Sequence, residues 1–252
     1  MTGCLAHRGP DGSGEWIDAD AGIALGHRRL SILELSAAGS QPMTSHSGRY
    51  VLVTNGEIYN HLEIRTALAR DGAQPAWRGQ SDTESLLAAF DRWGTEAALR
   101  MTVGMFALAL WDRHNQCLTL ARDRLGEKPM YYGEQGNLLL FGSELKSLRA
   151  HPGFLAEVDR NQLAIYLHRG YVPAPQSIYR GIRKLPPGTL LEFGRHRLPG
   201  RSPEPKPYWS LGDIAASGLR SPFTGSDGEA VERLEEVLSR AVASQSVADV
   251  PV

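Results

Sequence analysis

The chain has 252 residues, of which 42% are hydrophobic and 22% charged, and its formal net charge is −1. This composition is typical of a soluble globular protein and argues against a nucleic-acid or anionic-membrane partner. Two cysteines are too few for a disulfide framework, and the longest apolar run, "VGMFALALW", is too short to span a bilayer, so we expect a cytoplasmic protein.

Strand and helix patterns follow one another through most of the chain. "RYVLVT" predicts a strand, and two helices are then predicted with capping boxes, at Asn60 with Glu63 and at Ser81 with Glu84. The apolar residues of the second helix share one face, and Gly94 ends it.

Hairpins dominate the rest of this region. "GMFALALWD" with "QCLTLARD" predicts one hairpin, and "MYYGEQGNLLLFGSE" predicts another. "RNQLAIYLHRG" predicts a short helix and "GTLLEF" a further strand. Because hairpins outnumber helical crossovers, we expect antiparallel sheets with helices packed outside.

The composition changes after residue 194. Residues 195–207, "RHRLPGRSPEPKP", contain four prolines and predict an extended linker. "SDGEAVERLEEVLSRAVASQSV" then predicts an amphipathic helix capped by Ser226 and Glu229. Only "ADVPV" follows, so we expect a second domain to cover the apolar stripe; the alternative is that the helix packs back on the first domain.

The segment "VTNGEIYN" carries the first candidate for chemistry. Asn-Gly is a strong hairpin signal, but the following residues have helical spacing, so a hairpin would lack its second strand. At a strand end, the Asn55 amide and the Gly56 N–H could point at one oxygen. That is the donor pair that an oxyanion hole needs.

Charged residues give two further candidates. In "GHRRLSI" strand alternation turns one arginine inward, where it needs either a substrate carboxylate or, more commonly, an acid of the chain itself. In "SDTE", Asp82 either complements a helix dipole or receives a substrate ammonium group. We interpret "LARDRLGEKPMYY" as a solvated loop with weak ion pairs, and the scattered histidines predict no metal site.

Taken together, these segments resemble the amino-terminal glutaminase domain of glutamine-hydrolysing asparagine synthetases, which are class II glutamine amidotransferases with the Ntn-hydrolase fold. The similar segments run in the family's order over nearly the whole chain: "LAHRGPDGSGEW", "LGHRRLSI", "QPM", "NGEIYNH", "SDTE", "GMFALALWD", "ARDRLGEKPMYY", "SELKSL", "GYVPAP" and "KLPPG".

The resemblance implies an α+β fold, a four-layer αββα sandwich of antiparallel sheets. It also implies that Arg29 binds the α-carboxylate of glutamine, that Glu57 and Asp82 hold its α-ammonium group, and that Asn55 and Gly56 form the oxyanion hole. The implied domains are a glutamine amidotransferase domain (1–194), a linker (195–225) and the start of an ATP-dependent synthetase domain (226–252).

The chain departs from the family pattern at both ends. The family's nucleophile is a cysteine at a free amino terminus, followed by an apolar strand, and its own amine is the base. "MTGCLAHRGPDG" is instead similar to a later helix end and loop, so Cys4 does not match that cysteine. Thr2, exposed after methionine removal, is a weak alternative nucleophile. The family's ATP loop would follow "ADVPV", so we expect no cofactor here, and ATP and Mg²⁺ in the missing domain.

We therefore expect a fragment, truncated at both ends, of a ligase of asparagine biosynthesis. The parent would hydrolyse glutamine and use the ammonia for ATP-dependent amidation of aspartate, whereas this chain alone would be inactive. One alternative is a catalytically dead glutamine-binding module, and another is a sibling amidotransferase acting on a sugar or polysaccharide precursor. The missing first strand predicts an unpaired sheet edge, an open core and poor stability.

Overall fold

A computed structural model describes residues 1–31, 34–194 and 203–246. Its strands are β1 (Gly12–Asp18), β2 (Ile23–Arg29), β3 (Met43–Thr44), β4 (Tyr50–Ile58), β5 (Gly104–Asp112), β6 (Cys117–Arg122), β7 (Tyr131–Gln135), β8 (Leu138–Gly142), β9 (Ile182–Lys184), β10 (Thr189–Gly194) and β11 (Lys206–Pro207). Its α-helices are α1 (His61–Arg70), α2 (Asp82–Trp93), α3 (Thr95–Met101), α4 (Leu145–Arg149), α5 (Arg160–Arg169), α6 (Leu211–Arg220) and α7 (Asp227–Gln245). Two 3₁₀ helices span Thr2–Arg8 and Ala37–Gly39.

The strands form one large and two small antiparallel sheets. The large sheet has the order β11-β10-β6-β5-β4-β3, and the small sheets have the orders β1-β2 and β8-β7-β9. The two predicted hairpins are confirmed, since β5 pairs with β6 and β7 pairs with β8.

The large sheet is the centre of the fold. On one face, Leu52 and Leu108 pack against Phe90 of α2, together with residues of α1 and α3. On the opposite face, Val53 packs in a cluster that includes Leu25 of β2 and Tyr132 of β7. The far side of β7 and β8 is covered by α4. The layers are therefore helix, sheet, sheet and helix, which confirms the αββα prediction.

Two local predictions around β4 are wrong. Asn55 and Gly56 do not end a strand, because β4 continues to Ile58 and pairs with β5 over its whole length. The capping box expected at Asn60 does not form. The Asn60 side chain instead donates to the Met101 carbonyl and accepts from the Val103 N–H, which fixes the start of α1 to the loop before β5.

The second capping box forms only in part. Ser81 accepts a hydrogen bond from the Thr83 N–H, so Ser81 caps α2 as expected. The Glu84 carboxylate does not return to Ser81, because it accepts hydrogen bonds from Arg78 and Gly79 in the preceding loop. Gly94 ends α2 at φ 77°, a conformation that favours glycine.

The region predicted as a linker contains regular structure. Within 195–225, Lys206–Pro207 pair with β10, and Leu211–Arg220 form α6. The side chain of Tyr208 is 2% exposed, and its hydroxyl donates to the Arg122 carbonyl. Residues 195–202 lie outside the described residues, and the three-part domain division stays a prediction.

Helix α7 confirms its predicted capping box, at Ser226 and Glu229. Its apolar stripe is exposed, with Val231 at 64% and Leu234 at 58%, so α7 does not pack back on the described first domain. The tail "ADVPV" is outside the described residues. Within 1–31, 34–194 and 203–246 no helix has the length and apolar character needed to cross a membrane.

Candidate active site

A cavity of about 220 Å³ lies where the end of β2, the middle of β4 and the start of α2 meet. All five residues predicted for the site line this cavity: Arg29, Asn55, Gly56, Glu57 and Asp82. These residues come from three separate parts of the chain. The fold therefore brings the predicted set together, while the role of each residue stays a prediction.

The two predicted oxyanion donors lie side by side in β4. The Asn55 side-chain nitrogen is buried, and it has no hydrogen-bond partner among the described residues. Gly56 has φ 152°, and a Cβ there would lie 1.9 Å from the Met105 carbonyl oxygen. Only glycine fits this close approach of β4 to β5. The site thus has a buried amide donor that lacks an acceptor among the described residues, next to a position that only glycine can occupy.

Arg29 lies at the end of β2. Its guanidinium donates to the carbonyl oxygens of Ser36, at 2.9 Å, and Glu34. Both acceptors are neutral, and no described carboxylate forms an ion pair with Arg29, so the internal salt bridge considered as the commoner case is not observed. The Arg29 guanidinium has no direct ion pair among the described residues, although its charge also acts on the nearby Glu34 carboxylate, and it suits an anionic ligand group.

Asp82 does more than complement the dipole of α2. Asp82 is 7% exposed, and its carboxyl accepts hydrogen bonds from the Thr83 N–H, at 2.7 Å, and from the Ile58 N–H, at 2.8 Å. The second bond joins the start of α2 to the end of β4. Burial raises the pKa of Asp82, although these N–H groups act in the opposite direction.

Glu57 is the second acid of the cavity. Burial raises the pKa of the Glu57 carboxyl, the nearby Asp82 raises it further, and Lys128 lowers it. Because each ionised carboxylate disfavours ionisation of the other, a cation between the two acids is favourable. A ligand ammonium group is one cation that would meet this need.

The structure corrects the interpretation of the loop after β6. Asp123 is fully buried and accepts hydrogen bonds from four backbone N–H groups, those of Phe106, Leu125, Glu127 and Lys128. The loop is therefore not a solvated segment with weak ion pairs. It brings Lys128 to the cavity, and the sequence analysis missed this residue. The sequence signal that could have indicated this turn was an aspartate followed closely by Gly126.

His27, Thr54 and Asn55 line both this cavity and a larger one of about 700 Å³. His27 Nε2 lies 3.1 Å from the Thr54 carbonyl oxygen, which can only accept, so Nε2 carries the proton. His27 Nδ1 is buried without a partner. Burial lowers the pKa of His27 to about 4, so the ring is neutral near pH 7.

The two nucleophile candidates lie away from the smaller cavity. Cys4 is exposed in the first 3₁₀ helix and lines neither cavity. Thr2 lines only the larger cavity, and its hydroxyl donates to Glu15. Within the described ranges, no thiol lines the smaller cavity, and no group of three or more His, Cys, Asp or Glu side chains is arranged to hold a metal ion.

The sequence matches the family model described as "Glutamine amidotransferase domain" over residues 1–209. Asparagine synthetase [glutamine-hydrolyzing] 3 of Bacillus subtilis is 34% identical over 255 residues, a match that covers 100% of this chain and 39% of that protein. A putative asparagine synthetase [glutamine-hydrolyzing] of Mycobacterium bovis is 38% identical over 260 residues, covering 98% of this chain and 38% of that protein. The chain thus spans about two fifths of these relatives.

A solved structure gives an independent view of the fold. The glutamine phosphoribosylpyrophosphate amidotransferase from B. subtilis, complexed with ADP and GMP, superposes with a TM-score of 0.51 and 18% identity. The match covers 75% of this chain and 35% of that chain. At this identity the likeness supports the fold alone.

Proposed function

We propose, from the premise that this chain belongs to the family of glutamine amidotransferase domains, that its 220 Å³ cavity binds glutamine as a zwitterion. Arg29 would hold the α-carboxylate, and Glu57 and Asp82 would hold the α-ammonium group. The side-chain amide would then extend toward Asn55. Among the residues that line the cavity, Arg29, the pair Glu57 and Asp82, and Asn55 supply the cation, the acids and the neutral donor that match the charges along a glutamine molecule.

The observation that carries this proposal is the Asn55 side-chain nitrogen, which is buried without an acceptor. Buried polar groups are nearly always hydrogen-bonded, so an unpaired donor beside a cavity suits an oxygen supplied by a ligand. Attack on the glutamine amide would place negative charge on that oxygen. Asn55 and the Gly56 N–H would stabilise the charge, and loss of one such donor typically raises the barrier by about 2.7–4 kcal/mol.

We further propose that this chain alone binds glutamine without hydrolysing it. The proposal rests on geometry, since neither Cys4 nor Thr2 lines the smaller cavity and a nucleophile must reach the bound amide before its chemistry matters.

For the longer protein, we propose that ammonia from glutamine amidates ATP-activated aspartate. This part rests on the names of the two synthetase relatives. ATP and Mg²⁺ would be held by residues outside this chain.

Calorimetric titration of the full chain with glutamine tests the binding proposal. We expect saturable binding that Arg29→Ala weakens about ten- to a hundredfold, because hydrogen bonds to charged groups contribute about 1.5–3 kcal/mol. Arg180→Ala is the matched control. Arg180 is an exposed arginine that pairs with Glu157 and does not line the cavity. Equal loss in both variants, or no binding of glutamine at about 10 mM, would contradict the proposal.

Ammonia release tests the absence of turnover. We expect none from the chain or from its Cys4→Ala variant. Turnover that persists in Asn55→Ala and Cys4→Ala but disappears in Thr2→Val would show that Thr2 is a nucleophile and that the cavity has been assigned wrongly.

A further inference from the structure

Part of the wall of the smaller cavity comes from residues 34–39, which lie between β2 and β3. Glu34 and Gly39 line the cavity beside Arg29. The Arg29 guanidinium donates to the carbonyl oxygens of Glu34 and Ser36, so the backbone of this segment sets the direction of the arginine side chain. Whatever holds these two carbonyl groups in place therefore also controls how Arg29 faces a ligand.

The carboxylate of Glu34 fastens the segment. Its Oε1 accepts hydrogen bonds from the Ser36 N–H, at 3.0 Å, and from the Ser36 hydroxyl, at 2.6 Å. Its Oε2 accepts a hydrogen bond from the Gln80 N–H, at 2.9 Å. Gln80 lies directly before the serine that caps the buried helix α2. One side chain thus joins the segment that holds Arg29 to the start of a core helix.

Two glycines show how closely Glu34 is enclosed. A Cβ at Gly39 would lie 2.9 Å from Glu34 Cγ and would also collide with Arg29 Nη2. A Cβ at Gly79 would collide with Glu34 Oε2. The absence of a side chain at both positions lets Arg29, Glu34 and the backbone before α2 pack as one unit.

Glu34 lies near Arg29 without forming an ion pair with it. The hydrogen bonds to its carboxylate come from Ser36 and Gln80, and they lower the pKa of Glu34 to about 2, with the Ser36 hydroxyl as the largest cause. A guanidinium has five N–H groups, and Arg29 directs one from Nη1 and one from Nη2 at the two carbonyls. Its other N–H groups have no acceptor among the described residues and stay available to a ligand.

We propose that Glu34 is a positioning residue for Arg29, holding through the backbone of residues 34–36 the guanidinium that binds the α-carboxylate of glutamine. An arginine recognises a carboxylate through two parallel N–H groups in one plane, so the direction of the guanidinium decides whether it can bind. This inference rests on the proposed function of the cavity.

A purely local role for Glu34 does not account for its contacts. A turn at Ser36 needs only Oε1, because Ser36 supplies both donors to that oxygen. The hydrogen bond from Gln80 to Oε2 joins residues 46 positions apart. A carboxylate is needed to serve both sides, since an amide at position 34 would place its NH₂ group against one of these donors.

Nuclear magnetic resonance of the ligand-free full chain tests the positioning directly. Hydrogen bonds slow rotation about the Cζ–Nη bonds of Arg29, and Arg29→Ala identifies the signal. We expect Glu34→Gln to speed this rotation roughly fivefold or more, because the two carbonyl acceptors are no longer held. Glu63→Gln, at an exposed acid in the first turn of α1, is the matched control and should leave the rotation unchanged. Unchanged rotation in a folded Glu34→Gln would overturn the proposal.

A second variant protects the test against loss of the fold. Ser36 is exposed, and Ser36→Ala removes one of the donors to Glu34 Oε1 while it keeps the backbone carbonyl that accepts from Arg29. We expect a smaller increase in the same rotation. If Glu34→Gln does not fold, unchanged rotation in Ser36→Ala overturns the proposal.

Calorimetric titration with glutamine tests the link to the ligand. We expect Glu34→Gln to bind roughly tenfold more weakly than the parent. The double variant Arg29→Ala/Glu34→Gln should bind within about twofold of Arg29→Ala, because Glu34 acts through Arg29. Additive losses would contradict the proposal, since Glu34 would then affect binding by a separate route.

The two measurements separate this inference from the proposed function. If the parent does not bind glutamine but Glu34→Gln speeds the rotation of Arg29, the glutamine site is wrong and the positioning of Arg29 by Glu34 is supported. If the parent binds glutamine and the rotation is unchanged in Glu34→Gln, the glutamine site stands and the positioning role is overturned.

Discussion

The sequence Ser-Asp-x-Glu occurs twice, at 81–84 and at 226–229, and each copy opens an amphipathic helix. In both copies the serine caps the helix through its side chain. The environments of the two helices are opposite. Helix α2 is buried over most of its length, whereas the described residues of α7 are almost all exposed.

The glutamates show why the copies differ. Glu229 completes the capping box, and among the described residues its hydrogen-bond donor is Ser226 at the start of the same helix. Glu84 is 1% exposed. Its carboxylate does not bond Ser81, because it contacts Arg78, His46 and the loop backbone instead. The same four residues therefore make a local helix start in one place and a link between a helix and a loop in the other.

The aspartates differ for the same reason. Asp82 accepts a hydrogen bond from the Ile58 N–H and borders the small cavity, whereas Asp227 stands in the first turn of an exposed helix. A motif becomes part of a candidate active site only when tertiary packing places another element across from it. Matched substitutions in the two copies can break or sharpen this comparison.

The largest expected effect is in the apolar stripe. Leu86 and Val231 each follow the capping serine by five residues, and they are 0% and 64% exposed. Leu86→Ala should lower the free energy of unfolding by about 2–5 kcal/mol, because it leaves a cavity in the core. Val231→Ala should change it by less than about 0.5 kcal/mol. Urea titration measures both, and similar losses would show that α7 is packed.

A smaller effect is expected at the glutamates. Glu84→Ala should lower the free energy of unfolding by about 1–3 kcal/mol, because it leaves buried donors without an acceptor. Burial raises the pKa of Glu84, but hydrogen bonds from Arg78 and His46 outweigh it and hold the pKa below 4.5. This contribution to stability is therefore present above pH 4.5 and is lost as the pH falls through the lowered pKa.

Glu229→Ala is the control for this prediction. It should reduce helical circular dichroism without changing the main unfolding transition. If the loss in Glu84→Ala is the same at pH 3 as at pH 7, the ionised carboxylate is not what links the loop to α2.

The smallest expected effect is a pH-dependent difference at the aspartates. The folded state raises the pKa of Asp82, so its contribution to stability is fully present below the unfolded pKa, about 3.9, and declines as the pH rises. Relative to the parent, Asp82→Asn should therefore gain stability between pH 4 and pH 7 while its glutamine affinity falls. Asp227→Asn should show neither change. If the stability difference between Asp82→Asn and the parent does not vary with pH, the raised pKa assigned to Asp82 is contradicted.

Local sequence signals predicted much of the fold. The β5–β6 and β7–β8 hairpins, the end of α2 at Gly94 and the cap of α7 all depend on residues within a few positions of one another. Local signals failed at β4, which passes through an Asn-Gly pair because β5 stabilises its extended backbone on one side, and at Asn60, whose side chain bonds Met101 and Val103 and forms no capping box.

The candidate site depends on contacts between residues that are far apart in the chain. The residue types of Arg29, Asn55 and Asp82 were identified from sequence, and a family resemblance grouped them. Their meeting at one cavity required β2, β4 and α2 to converge. Lys128 was missed because its position depends on a buried aspartate that appeared solvated in the sequence.

The sequence by itself determined the β5–β6 and β7–β8 hairpins, the serine-capped starts of α2 and α7 and their apolar faces, because those properties arise from side chains a few residues apart. Only the tertiary structure decided that one Ser-Asp-x-Glu copy borders a cavity and that residues of β2 and β8 line another. Burial, unpaired hydrogen-bond donors and opposing strand edges arise between segments far apart in the chain, and local patterning does not encode which segment will cover another.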